Sequence, residues 1–307
     1  MENSANGTVP AKKLPSPEIG AAKKTAAPRI LRIALALMLV GAAMAGGAWM
    51  TGARGVAIGW DGGPVVIPAG PRETFSVEMP PDGVRMLDVR SSSARISIKQ
   101  GNSDSIVVEF VGAEPSYAVN SGKLEITANP PGMFTFTLLG IGFSGFGEES
   151  VTVWLPPVVL ASVQAHTSSG RISVENIAAY EGHFSSSSGR ITLAGAVFEE
   201  LAVTSASGRQ EISDSAWTRL AATSFSGAVV IRGARPQQGG ESRVSASSGR
   251  VDMEVAMPHE MFDYSVESSS GRIRINDRNV AASVSRRGEH RIAINTKSGS
   301  IALNFRN

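Results

Sequence analysis

The chain has 307 residues, of which 42% are hydrophobic and 18% charged, a globular composition with room for a sizeable core. It contains no cysteine, which excludes disulfides, thiolate metal sites and cysteine nucleophiles. Its 33 glycines and 6% aromatic content point to many turns and thin packing layers, as in an all-β protein.

Residues 1–28, rich in Pro, Ala and Lys, read as a disordered basic tail. The predicted transmembrane helix covers 29–53. Within it, Ile33 to Ala53 is an uncharged run bracketed by Arg32 and Arg54, long enough to cross a bilayer. A signal peptide cleaved after Ala43-Met44-Ala45 is the competing reading. The long lysine-containing lead and the length of the apolar run favour an uncleaved anchor. Positive charge before the span keeps the N-terminus in the cytoplasm, with Trp49 at an interface and the body exported, to the periplasm or the cell surface. Small residues spaced along the span would also permit helix pairing in lipid, and so a homo-oligomer. Residues 1–32 carry six basic side chains against Glu2 and Glu18, so the remainder of the chain is net acidic. That balance lacks the basic stripe a nucleic-acid partner would need. Residues 54–71 then read as a Gly/Pro linker.

From residue 72 to 157 the pattern is β-like but irregular. Val89 to Ile98 and Ser121-Gly122-Lys123-Leu124-Glu125-Ile126 look like degraded copies of a unit that becomes regular over 158–307. Val151 to Leu155, closed by Pro156 and Pro157, reads as a strand. The regular unit is marked by Gly170, Gly189, Gly208, Gly227, Gly249, Gly271 and Gly299, spaced 19, 19, 19, 22, 22 and 28 residues apart and each preceded by serine. Two and four positions after each glycine the residue is apolar, apart from Gln210. Five positions before it stands another apolar column. A strand therefore enters a Ser-Gly corner and another leaves it. Three positions before the glycine, six copies carry a hydroxyl and the fifth carries Ala246. These hydroxyls are expected to donate to one another up a stack. A unit of about 20 residues cannot bury its own apolar face, so the expected fold is all-β, a β-solenoid of stacked units behind one transmembrane helix. A β-sandwich of successive hairpins is the alternative.

Through the Leu155-Pro156 strand end and units such as Ser168 to Ile172 and Ser269 to Ile273, residues 72–307 resemble the bacterial β-strand-repeat proteins known as putative adhesins, a domain of unknown function often found behind a single membrane anchor. The resemblance implies a β-helix-like exported domain serving adhesion, envelope sensing or scaffolding, with no catalytic residues and no cofactor. Many relatives have an acidic residue after the glycine, whereas this chain has Arg171, Arg190, Arg209, Arg250 and Arg272.

Stacked, those arginines form an outward ladder of like charge. One reading gives the ladder an anionic polysaccharide or an acidic envelope partner. The other has Glu175, Glu211, Asp252 and Glu254 neutralise it locally. Gly140-x-Gly142-x-x-Gly145 matches a dinucleotide fingerprint as a string, but a strand follows where a helix is needed. The same loop places Phe143 and Phe146 as candidate contacts to lipid or a partner. His166, His183, His259 and His290 lack metal-ligand spacing. No catalytic residue or metal site is assigned. Two alternatives to a binding role remain: a self-assembling solenoid, because the chain stops immediately after its last strand, and a glycan-processing β-helix enzyme.

Overall fold

The computed structural model describes residues 55–59, 63–67, 74–112, 114–129, 135–138, 141–144, 149–281 and 283–306. The expected tail at 1–28 and span at 29–53 lie outside the described residues, as do Phe146 and the side chain of Phe143. Among the described residues no helix is long and apolar enough to cross a membrane. The segment expected as a plain linker contains an antiparallel pair, Gly55–Gly59 with Gly63–Ile67.

Each regular unit is one coil of a flattened solenoid. A nine-residue strand leads into the Ser-Gly corner and a four-residue strand leads out, as in Ala178–Ser186 followed by Ile191–Ala194. The short strand alternates buried and outward residues, the two-residue period of a pleated chain, and the long one does so from Gly182 onward, after two consecutive outward residues, Tyr180 and Glu181. Long strands stack on long strands in parallel: Val159–Thr167, Ala178–Ser186, Val197–Ser205 and Ala216–Ser224. Short strands stack likewise: Ile172–Glu175, Ile191–Ala194 and Gln210–Ser213. The parallel ladders decide for the solenoid over successive hairpins.

The core is the thin layer between these two ladders. Ile172, Val174, Ile191, Leu193 and Ile212 meet Val163, Phe184, Leu201, Val203 and Leu220, all at most 3% exposed. Each such aliphatic side chain contributes about 1.5–3 kcal/mol on burial. Trp217 is fully buried and donates its indole N–H to Ser242 Oγ at 2.9 Å. Gly182 leaves room for the Phe198 ring, which meets Phe184 edge-on at 5.8 Å.

Chain order and spatial order part at both ends. Strand His290–Thr296 pairs with Val229–Ala246 on one side and Phe262–Ser268 on the other. Ile301–Phe305 likewise separates Val251–Val255 from Ile273–Ile275. The last coil in sequence is therefore inserted beneath the one before it. At the other end Met86–Ser91 lies between Lys123–Asn129 and Val159–Thr167. Arg95–Gln100 lies between Ser150–Leu155 and Ile172–Glu175. The outermost coils are in turn covered by antiparallel strands: Glu114–Asn120 and Ile106–Val111 at one end, Ser283–Arg286 and Arg278–Val280 at the other. Both ends of the parallel stacks thus carry an antiparallel strand.

Two further expectations are corrected. Ser121-Gly122 is no stacking corner. With φ of 50° and 79° it is the two-residue turn of the hairpin Glu114–Asn120 with Lys123–Asn129, the left-handed pair that matches strand twist. The hydroxyl three residues before each glycine acts mostly within its own corner. Thr167, Ser186, Ser224 and Ser268 accept the N–H of Gly170, Gly189, Gly227 and Gly271 at 2.8–2.9 Å. Contacts up the column occur at Ser205 to Ser224 (3.4 Å) and Thr296 to Ser268 (3.0 Å).

Candidate functional site: the arginine edge

The corner glycines explain why the edge is so regular. A Cβ on Gly189 would stand 1.6 Å from the carbonyl oxygen of Gly170, and one on Gly208 1.8 Å from that of Gly189. The same approach recurs through Gly227, Gly249, Gly299 and Gly271, in that spatial order. Consecutive corners are stacked so closely that only glycine fits between them. Backbone bonds hold the next residue in register: Ile96 N–H to Arg171 O (2.8 Å), Ile172 N–H to Arg190 O (2.9 Å), Ile191 N–H to Arg209 O (2.9 Å). Beyond them come Gln210 N–H to Ala228 O, Val229 N–H to Arg250 O and Ile301 N–H to Arg272 O, each 2.9 Å.

The residues after the corners thus form one column, in spatial order Arg95, Arg171, Arg190, Arg209, Ala228, Arg250, Ser300 and Arg272. All five predicted arginines lie on it. Arg95 is a sixth member that the sequence reading did not count as a site residue, although its SSSARI context carries the signal. Four arginines are consecutive, at the roughly 4.8 Å spacing of neighbouring strands. Past Ala228, Arg250 and Arg272 follow on alternate layers. Exposed serines of the corners run beside the column, and at the Ala228 layer Phe225 projects, 66% exposed.

The local-neutralisation reading holds for one arginine of the five. Arg209 Nε lies 3.6 Å from Glu211, which also meets Arg232 at 3.5 Å. Glu175 pairs instead with Lys99 at 3.3 Å, and Glu254 with Arg306 at 3.0 Å. Among the described residues Arg171, Arg190, Arg250 and Arg272 have no carboxylate within 4.0 Å. Adjacent like charges at strand spacing repel by roughly 0.9 kcal/mol even in bulk water. The column is therefore a surface on which a fitted anion relieves repulsion.

Elsewhere the charged groups have local, structural roles. Asp88, nearly buried, is held below its usual carboxyl range: burial pushes it up, but hydrogen bonds from Arg90 (2.8 Å) and Lys123 (2.7 Å) outweigh that. Glu149 is pushed up by burial, against a weak bond from Ser93. His166 meets Ser185 at 2.7 Å and His183 faces Glu181 at 3.8 Å. Among the described residues no three metal-ligating side chains cluster. The glycine-rich stretch 140–145 overlaps a short hairpin, Thr135–Leu138 with Ile141–Ser144.

The model of the Toastrack DUF4097 family matches residues 84–278. No curated protein matches the chain. Among solved structures, a putative adhesin from Bacteroides fragilis is similar at 12% identity and a TM-score of 0.45, over 76% of this chain and 98% of that one. A putative lipid binding protein from Parabacteroides distasonis is similar at 13% identity and 0.41, over 78% and 98%. A putative cell adhesion protein from Clostridium sporogenes is similar at 10% and 0.39, over 76% and 100%.

Proposed function

We propose, for a chain that belongs to the Toastrack DUF4097 family, that the solenoid acts by binding and not by catalysis, presenting its arginine edge to an anionic polysaccharide of the cell envelope. The observation that carries this reading is the column itself. Arg95, Arg171, Arg190 and Arg209 occupy four consecutive layers, and the packing of the corners requires only the glycines beside them. A uronate chain offers one carboxylate per sugar and could lie along the edge, with a bidentate guanidinium on each carboxylate. The serines of the corners add hydroxyls, and Phe225 offers a ring face at the layer where Ala228 interrupts the charge. The apolar run 33–53 supports a single-pass anchor in the cytoplasmic membrane that holds this edge outside the cell.

The test is retention on polygalacturonate. Replacing Arg171, Arg190 and Arg250 together by Gln is expected to abolish retention at low salt while leaving the fold intact. Unchanged retention would sink the reading. A turnover assay on the same polymer checks the non-catalytic part, since released oligosaccharide would turn the edge into an enzyme's subsites.

A further inference from the structure

A second candidate site lies at the far end of the stack, away from the arginine edge. There the coil Phe262–Ser268 and Ile273–Ile275 is covered by the antiparallel strands Arg278–Val280 and Ser283–Arg286. A cavity of about 430 Å³ opens beside them. Its apolar wall is Ile275, Val280 and Val284, and its polar wall is His259, Tyr264, Asn276 and Arg278. That size and mixed lining suit a small ligand with one polar end.

The charge on the polar wall decides which polar end. Arg286 Nη1 stands 2.8 Å from His259 Nδ1 and 3.4 Å from its Nε2, a position over the ring and not along either nitrogen's lone pair. Burial, and then the Arg286 charge, hold His259 below its usual range and favour the neutral ring. His259 Nε2 lies 3.1 Å from Tyr264 Oη, in a bond that either partner can donate. When the ring donates, Tyr264 has its hydroxyl proton for another acceptor. Asn276 Oδ1 accepts the N–H of Phe305 at 2.9 Å, and its NH2 group makes no hydrogen bond among the described residues. Arg278 is exposed and, among the described residues, has no carboxylate within 4.0 Å. Asp277 lines a separate, smaller hollow with Asn304 and Arg306. Arg278 is the one permanently charged group lining the larger cavity, and it is a cation.

We propose that this cavity binds a small amphipathic carboxylate. The carboxylate accepts from Tyr264, Asn276 and Arg278, and the hydrocarbon covers Ile275, Val280 and Val284. Stacked on Tyr264 at 5.5 Å between ring centroids and packed against Phe305 at 4.8 Å, His259 is a positioning residue that holds the tyrosine ring in place.

The test uses the full chain and octanoate labelled with carbon-13 at its carboxyl group, followed by NMR. Saturable one-to-one binding is expected, with octan-1-ol much weaker. Arg278→Gln and Tyr264→Phe should each weaken octanoate about tenfold or more, as expected for a lost charge-assisted or buried hydrogen bond. Arg171→Gln should leave it unchanged, which separates this site from the arginine edge. Absence of saturable binding, octanol binding as tightly as octanoate, or full affinity in both cavity variants would overturn the proposal. If Tyr264→Phe loosens the terminal coil, Arg278→Gln still decides, because its side chain lies at the surface.

Discussion

Replacing Gly189 by alanine puts the stacked-corner geometry under direct strain. The added Cβ would fall 1.6 Å from the Gly170 carbonyl oxygen and 2.8 Å from Ser186 Oγ. The first of these is backbone and is tied down on both sides. Ser188 N–H donates to Ser168 O at 2.9 Å, and Ile172 N–H donates to Arg190 O at 2.9 Å. Overpacking of this kind costs about 1–3 kcal/mol, and separating the corners weakens two ladder bonds worth roughly 0.5–1.5 kcal/mol each. The expected loss is therefore about 2–6 kcal/mol. The matched control is Gly239→Ala. Gly239 has φ of 69° but nothing within 4 Å of a Cβ, so only the backbone penalty of about 1–2 kcal/mol applies. Urea melts followed by circular dichroism, with hydrogen exchange to locate the loss, would compare the two. If Gly189→Ala costs no more than Gly239→Ala, close approach is not what selects glycine at the corners.

Three other outcomes follow from the same structure. Ser186→Ala removes the acceptor of the Gly189 N–H and should cost about 1–3 kcal/mol by thermal denaturation, whereas Ala246→Ser offers Gly249 the acceptor its corner lacks and should stabilise by about 0.5–1.5 kcal/mol. Asp88 is held below its ordinary 3.8, so the unfolded chain binds its proton first. Its contribution is complete above that value and lost as pH falls through the lower folded value, and a melting profile in acid should flatten in Asp88→Asn. Trp217→Phe leaves Ser242 buried without its indole donor and should cost more than the lost ring area alone, about 1–3 kcal/mol for the unmet hydroxyl, read as a shift in denaturation midpoint.

The Ser-Gly corner was legible because two separate demands fall on fixed positions. Close approach requires glycine, and the corner N–H requires a hydroxyl three residues earlier. The arginines could be placed from the same register. The opposite corner was missed, although it too stacks, as Asn176, Gly195, Asp214 and Gly233, with φ of 55°, 63°, 50° and 60°. Three residue types meet one conformational demand there, and the Asn176 side chain fills the space a Cβ on Gly195 would need. An alternation of Asn, Gly, Asp and Gly six positions after each marker glycine was the available signal. Ala94 shows the converse. Each later corner glycine leans on the corner before it, beginning with Gly170 on Ala94, whereas Ala94 itself has no Ser-Gly corner beneath it and tolerates a methyl. The inversion of coils at the two ends left no local trace. Pairing 290–296 with 229–246 is a long-range choice between equally apolar strands, and only the 28-residue gap before Gly299 marked the last unit as different.

That inversion bears on how the molecule is made. The strand His290–Thr296 leaves the ribosome after Phe262–Ser268 yet occupies the layer beneath it. The terminal coil has no parallel neighbour to settle on until the last segment has been synthesised and slotted in. A transcript cut short before residue 290 would lose two layers of the stack instead of one, along with the cavity they enclose. Closure of the far end of the stack therefore waits on residues 290–305.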